Sequence, residues 1–240
     1  GLGDVYKRQS FNCNAGKVVV LDRNWPQRDA LLEQVQGALA ASPQRYPYYP
    51  GAEKRYAKIL QQYPSAIMLG DPHLIPIPWT FIPGVKPDPT EPILQEEPFC
   101  GVLSEVSLDC SGDAASFLEA AVPFVNESLY GDLSCMVLVD GKTAKTIRNE
   151  LDEAIHRLRY GGIAVNAWAG MNFALGNTHW GAFPGNTRES IGSGAGSVHN
   201  CFLFDAPEKS VVYAPFRMWP KPVWFPDHRT LPALGRALAQ

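Results

Sequence analysis

Cys13 stands at the head of the only segment whose residue types could do covalent chemistry, Ser10-Phe11-Asn12-Cys13-Asn14-Ala15-Gly16-Lys17, which runs into the apolar strand Val18-Val19-Val20-Leu21. A thiol at the lip of a strand has its Cα held in place, and flanking amides can supply hydrogen-bond donors to a developing charge. The other reading of the same segment is a space-filling core thiol, because free cysteine is among the most buried residue types. The segment does not decide between the two. The decision rests on residues about eighty positions downstream.

Those residues are Glu96-Glu97-Pro98-Phe99-Cys100-Gly101-Val102, then Asn126 to Leu133 with Tyr130-Gly131 inside it, and Gly161-Gly162-Ile163-Ala164-Val165-Asn166. Together with Cys13-Asn14-Ala15-Gly16 ahead of a strand, their order resembles the C-terminal, catalytic half of the aldehyde dehydrogenase superfamily, over roughly Phe11 to Gly196. That family carries Glu-Glu-x-Phe-Gly-Pro-Val, Asn-x-x-x-Tyr-Gly-Leu and Gly-x-x-x-Val-Asn blocks in this sequence. The chain departs from it in three places. Ser10-Phe11 replaces Gly-Gln before the cysteine, Cys100-Gly101 replaces Gly-Pro after the phenylalanine, and Asn177 to Asn186 replaces the Phe-Gly-Gly-x-Lys-x-Ser-Gly loop.

The resemblance implies Cys13 as the nucleophile, Glu97 as acceptor for ribose hydroxyls of NAD or NADP, and Phe99 as packing for the nicotinamide end. Asn12 and Asn166 are weaker candidates for the substrate pocket, since Asn166 could simply cap the turn after its strand. Without the resemblance, Glu96-Glu97 reads as a solvated acidic pair. The implied substrate is a small aldehyde, oxidised through a cysteine thiohemiacetal and thioester. The implied architecture is a fragment without its N-terminal dinucleotide-binding domain, inactive alone and homo-oligomeric when intact. Two alternatives stay open: a non-catalytic scaffold of the same fold, and an acyl-CoA reductase.

Composition excludes other classes. The chain has 240 residues, 45% hydrophobic, and a net charge of −3, which gives ample core and no electrostatic footprint for nucleic acid. No apolar run approaches the ~18 residues of a membrane helix. Five cysteines without a Cys-x-x-Cys pair fit a reducing, cytoplasmic setting, and five histidines without His-x-x-x-His spacing argue for no metal. Residues 1–9 resemble translated adapter sequence and are set apart as a non-native segment, leaving a catalytic domain over 10–198 and a C-terminal region over 199–240.

Alternation of strands and helices predicts an α/β fold, a mainly parallel open sheet flanked by helices, with a C-terminal hairpin and arm. Asn24 and Pro26 are expected to open a helix reaching Ala41 on the stripe Leu31, Leu32, Val35 and Leu39. A second helix passes through Tyr56, Ile59, Leu60 and Tyr63, followed by a strand over Ala66 to Leu69. The proline-rich stretch from Asp71 to Pro92 reads as an ordered loop with Trp79 and Phe81 turned inward. Further on, the pattern predicts a strand over Gly101 to Leu108, a helix over Asp113 to Asn126, a strand over Ser134 to Asp140, and one long helix over Lys142 to Tyr160. The Gly192 to Ser197 run lacks the strand and Lys-Ser context of a phosphate loop and reads as a flexible connector. Asn200 to Asp205 and Ser210 to Phe216 are expected to pair as the hairpin, ahead of a Trp- and Pro-rich arm over Trp219 to Pro226.

Overall fold

Every residue of Val102–Leu108 (β4) is buried, and the first sheet is built outward from this strand. In the computed structural model, which describes residues 13–44, 46–199, 202–219 and 236, Val18–Asp22 (β1) pairs parallel to β4 on one side. Thr80–Val85 (β3) pairs parallel on the other side, and Ile67–Met68 (β2) closes that edge antiparallel to β3. Alternation along β3 and β4 sends Phe81 and Leu103 to one face, where Leu32, Val35 and Leu39 of helix Arg28–Ala40 (α1) cover them. Ile82, Val102 and Val106 go to the other face, under Tyr56 and Ile59 of helix Ala52–Gln62 (α2).

A second, all-parallel sheet has the order Ser134–Val137 (β5), Gly162–Val165 (β6), Ser210–Tyr213 (β9). Helix Ala114–Ser128 (α4) joins the two cores, since Phe117 and Phe124 pack on the first and Leu118, Val122 and Val125 on the second. Between these elements lie the short helix Pro92–Gln95 (α3), helices Gly141–Thr146 (α5) and Arg148–Arg157 (α6), the short helix Met171–Ala174 (α7), and the antiparallel pair Trp180–Gly181 (β7) and Ser197–Val198 (β8). The architecture is α/β with mainly parallel sheets flanked by helices, as the alternation implies.

Several local expectations are corrected. The proline-rich stretch is not all loop: Thr80–Val85 is an interior strand, with Trp79 and Phe81 fully buried. Pro83 is tolerated there because the register with β4 slips by one residue between Ile82 and Val85, and Gly84 takes a φ of 64° at the bulge. α1 begins at Arg28, with Gln27 at the N-cap position and no side-chain cap; Asn24 lies ahead of that position, and its amide donates to the Cys110 carbonyl at 2.5 Å. The long helix is two helices that break at Ile147, beside another β-branched residue, Thr146.

The C-terminal hairpin is also corrected. Residues 202–205 form turns, and Ser210–Tyr213 adds to the second sheet parallel to β6. Parallel addition there lets Val211 and Val212 reach the two faces of the sheet that Ile163 and Ala164 already occupy. The glycine-rich run is tied down: the Asp132 amide donates to Ser193 Oγ at 2.8 Å, and Asn186 Nδ2 donates to the Asp132 carboxylate at 3.0 Å. The arm beyond Trp219 lies outside the described residues.

Candidate active site

Cys13 is exposed, on a turn that leads through buried Ala15 into β1. The Lys17 carbonyl accepts the Ser104 amide at 2.9 Å, so the base of this turn is fixed to the central strand. The next residue after the thiol, Asn14, packs against the loop after β6: a Cβ placed on Gly170 would sit 2.7 Å from Asn14 Nδ2. The thiol turn therefore spans the seam between the two sheets.

Lys17 is the residue that links the sequence-derived candidates, and it was not itself among them. Its ammonium donates to the Ala15 carbonyl at 3.1 Å, pairs with Glu97 Oε1 at 3.2 Å and stands 5.7 Å from the Phe99 ring centroid. Its side chain is only 14% exposed, while that of Glu97 is 39% exposed. The available signal was a lysine opening an apolar strand in a chain that also carries an acidic pair. Glu96, by contrast, points away and pairs with Lys58.

Phe99 has a φ of 43°, in the left-handed region that an aromatic side chain rarely adopts. Its ring meets the Tyr49 ring edge-on, with centroids 4.7 Å apart. The next residue, Cys100, is completely buried, and burial pushes its thiol up to about 12. It is a structural thiol, whatever its neighbour does.

Asn166 also has a positive φ, 57°, and its side chain stitches the ends of β5 and β6: Oδ1 accepts the Val139 amide at 2.9 Å and Nδ2 donates to the Val139 carbonyl at 2.8 Å. Both polar atoms are thus engaged with backbone. Asn12 lies outside the described residues. Among the described residues no group of His, Cys, Asp and Glu is spaced to hold a metal ion. A groove of about 490 Å³ on the outer side of α1, lined by Asp29, Glu33 and Gln36, lies apart from all these residues.

A nicotinamide dinucleotide was the cofactor implied by sequence, and the residues fit one. A half-exposed carboxylate two positions from a half-buried aromatic ring offers an acceptor for a diol beside a flat apolar surface. Lys17 holds one carboxylate oxygen without burying the group.

No protein-family model and no curated protein matches the sequence. Solved structures do match. A betaine aldehyde dehydrogenase from Staphylococcus aureus, in complex with NAD+, is 16% identical with a TM-score of 0.58, over 76% of this chain and 37% of that one. A putative aldehyde dehydrogenase from Burkholderia cenocepacia is 18% identical with a TM-score of 0.58, over 83% and 40%. An NAD-dependent aldehyde dehydrogenase from Sinorhizobium meliloti is 19% identical with a TM-score of 0.52, over 70% and 34%. At such identities the likeness is one of fold. The chain spans 34–40% of the length of these structures, and over most of its own length it has the aldehyde dehydrogenase fold.

Proposed function

We propose that the chain is the thiol-bearing part of an NAD(P)-dependent aldehyde dehydrogenase-like oxidoreductase, with Cys13 as nucleophile and Glu97 and Phe99 as cofactor contacts. The observation that carries the reading is the Lys17 bridge, which ties the turn of an exposed thiol to the Glu97 carboxylate within this fold. The match to only 34–40% of each relative supports a larger protein that supplies the remaining groups.

An aldehyde holds its hydrogen too tightly to lose hydride unaided. Addition of the Cys13 thiolate to the carbonyl carbon gives a tetrahedral hemithioacetal, and the negative oxygen of that adduct drives hydride out. The dinucleotide, when bound, supplies the hydride acceptor. A thioester remains on Cys13, and water cleaves it to the acid. The exposed turn gives the aldehyde access to the sulfur, and the oxyanion requires a hydrogen-bond donor beside it, a type of contact worth about 2.7–4 kcal/mol in comparable sites. Glu97 accepts ribose hydroxyls, while the Phe99 ring limits where the nicotinamide can lie. Free cysteines fit a cytoplasmic setting.

The test is made in the complete enzyme. An aldehyde-mimicking electrophile should label Cys13, and Cys13→Ser should abolish cofactor reduction while leaving the fold intact. Retained reduction by the serine variant overturns the reading.

A further inference from the structure

We infer that Arg55, on α2, is a positioning residue that sets the conformation of the Glu97 to Phe99 segment. Its guanidinium donates from Nε to the Pro98 carbonyl at 3.1 Å and from Nη2 to the Phe99 carbonyl at 3.3 Å. Two successive carbonyls are thus received by one planar fork, a geometry that the point charge of a lysine cannot reproduce. Pro98 has no N–H, so its carbonyl is the only backbone hydrogen-bonding group through which the fold can grip this residue. The clamp lies at the position where Phe99 is turned to a φ of 43°, a conformation that persists only where the surroundings over-determine it.

The third donor extends the same function. Arg55 Nη1 donates to the Pro50 carbonyl at 3.2 Å, and the residue before Pro50 is Tyr49, whose ring stands edge-on to Phe99 at 4.7 Å. One guanidinium therefore fixes the backbone of Phe99 and the loop that packs on its ring. Lys17 then approaches the same ring, and the neighbouring Glu97, from the thiol side. With α2 anchored on the core by buried Tyr56 and Ile59, Arg55 transmits the rigidity of that helix to the half-exposed Glu97 and the half-buried Phe99. The consequence for cofactor binding rests on the proposed function, whereas the conformational role does not.

The experiment compares Arg55→Ala and Arg55→Lys with wild type, in two measurements. In limited chymotrypsin digestion of the full chain, both variants should be cut after Phe99 roughly tenfold or more faster, the factor expected when losing two hydrogen bonds raises the population of the open segment, while the core amides of β4 beyond Leu103 keep their protection from hydrogen exchange. In the complete enzyme, both should raise KM for the dinucleotide about tenfold with kcat within about twofold, since a misplaced loop weakens binding before it alters the thiol chemistry. Unchanged cleavage after Phe99 in the alanine variant overturns the inference, as does full restoration by lysine. Should alanine loosen β4 as a whole, the lysine variant carries the cleavage test. A wild-type enzyme without dinucleotide affinity would refute the proposed function alone, and the cleavage result would still decide the role of Arg55.

Discussion

The Lys17 ammonium lies 3.2 Å from the Glu97 carboxylate and so closes a bridge between the turn that carries Cys13 and the loop that carries Phe99. Because the lysine side chain is mostly buried and the glutamate is not, the pair is only partly screened by solvent. A double-mutant cycle over Lys17→Ala and Glu97→Gln, measured by urea denaturation, should give a coupling of about 0.5–1 kcal/mol, falling as salt is added. Strict additivity would show that the bridge does not persist in solution.

Thiol reactivity should be divided between neighbouring sites. With its thiol near 12, Cys100 holds only about one part in ten thousand as thiolate at pH 8, and it is completely buried. Exposed Cys13 should therefore be alkylated first at pH 8, with peptide mapping finding Cys100 unmodified until the chain unfolds.

Glu105 has no exposed surface, yet its carboxylate accepts from Arg28 Nη2 at 3.1 Å, from the Gly84 amide at 2.8 Å and from the Ser107 hydroxyl. Removing it leaves the bulge amide without its acceptor and takes one of three partners from Arg28, which keeps the Ser107 hydroxyl and the Asp29 carboxylate. Glu105→Ala should destabilise the chain by about 1–3 kcal/mol in denaturant titration, and Glu105→Gln by clearly less, since the amide oxygen can still accept from Gly84.

Alkaline stability should follow Cys100. Its thiol is raised from 9.0 to about 12 on folding, so the native state retains a proton that the unfolded chain has given up. The contribution is fully present below pH 9 and is lost as pH climbs toward 12, at about 1.4 kcal/mol per pH unit in that window. Cys100→Ala should flatten this part of the pH profile of the unfolding midpoint.

At the acid end the group to watch is Asp113, the N-cap of α4, which accepts from the amides of Ala115 at 3.1 Å and Ser116 at 2.9 Å. Hydrogen bonds from Ser111 and Ser116 hold its carboxyl well below the usual 3.8. Its stabilisation is present above that value and disappears as pH falls further, so helical circular dichroism of Asp113→Asn should respond less to acid below pH 4 than wild type does.

How much of this was legible varies with the physical origin of each element. The stripe Leu32, Val35 and Leu39 is written in the sequence at helical spacing, and α1 buries those side chains. Thr80–Val85 was hidden because proline signals disorder locally, and only pairing with β4 makes a bulged strand there worth its missing donor. Ser210–Tyr213 has the composition of any short strand, and local pattern cannot tell a hairpin partner from a distant parallel one. Cys13, Glu97 and Phe99 are candidates through their order along the chain. Lys17 and Arg55 are not, because a single lysine or arginine has no period, and each takes its role from groups more than forty residues away.

The sequence by itself determined the α/β class, the separation of thiol and acidic pair into successive blocks, and which side chains must leave water, because burial periodicity and residue order are one-dimensional properties. Only the tertiary structure decided that the single predicted sheet is two, that Cys100 is sealed while Cys13 faces solvent, and that Lys17 pairs with Glu97 while Arg55 donates to the carbonyls of Pro98 and Phe99. Those outcomes depend on distances between residues far apart in the chain, and such distances are set by how whole elements pack.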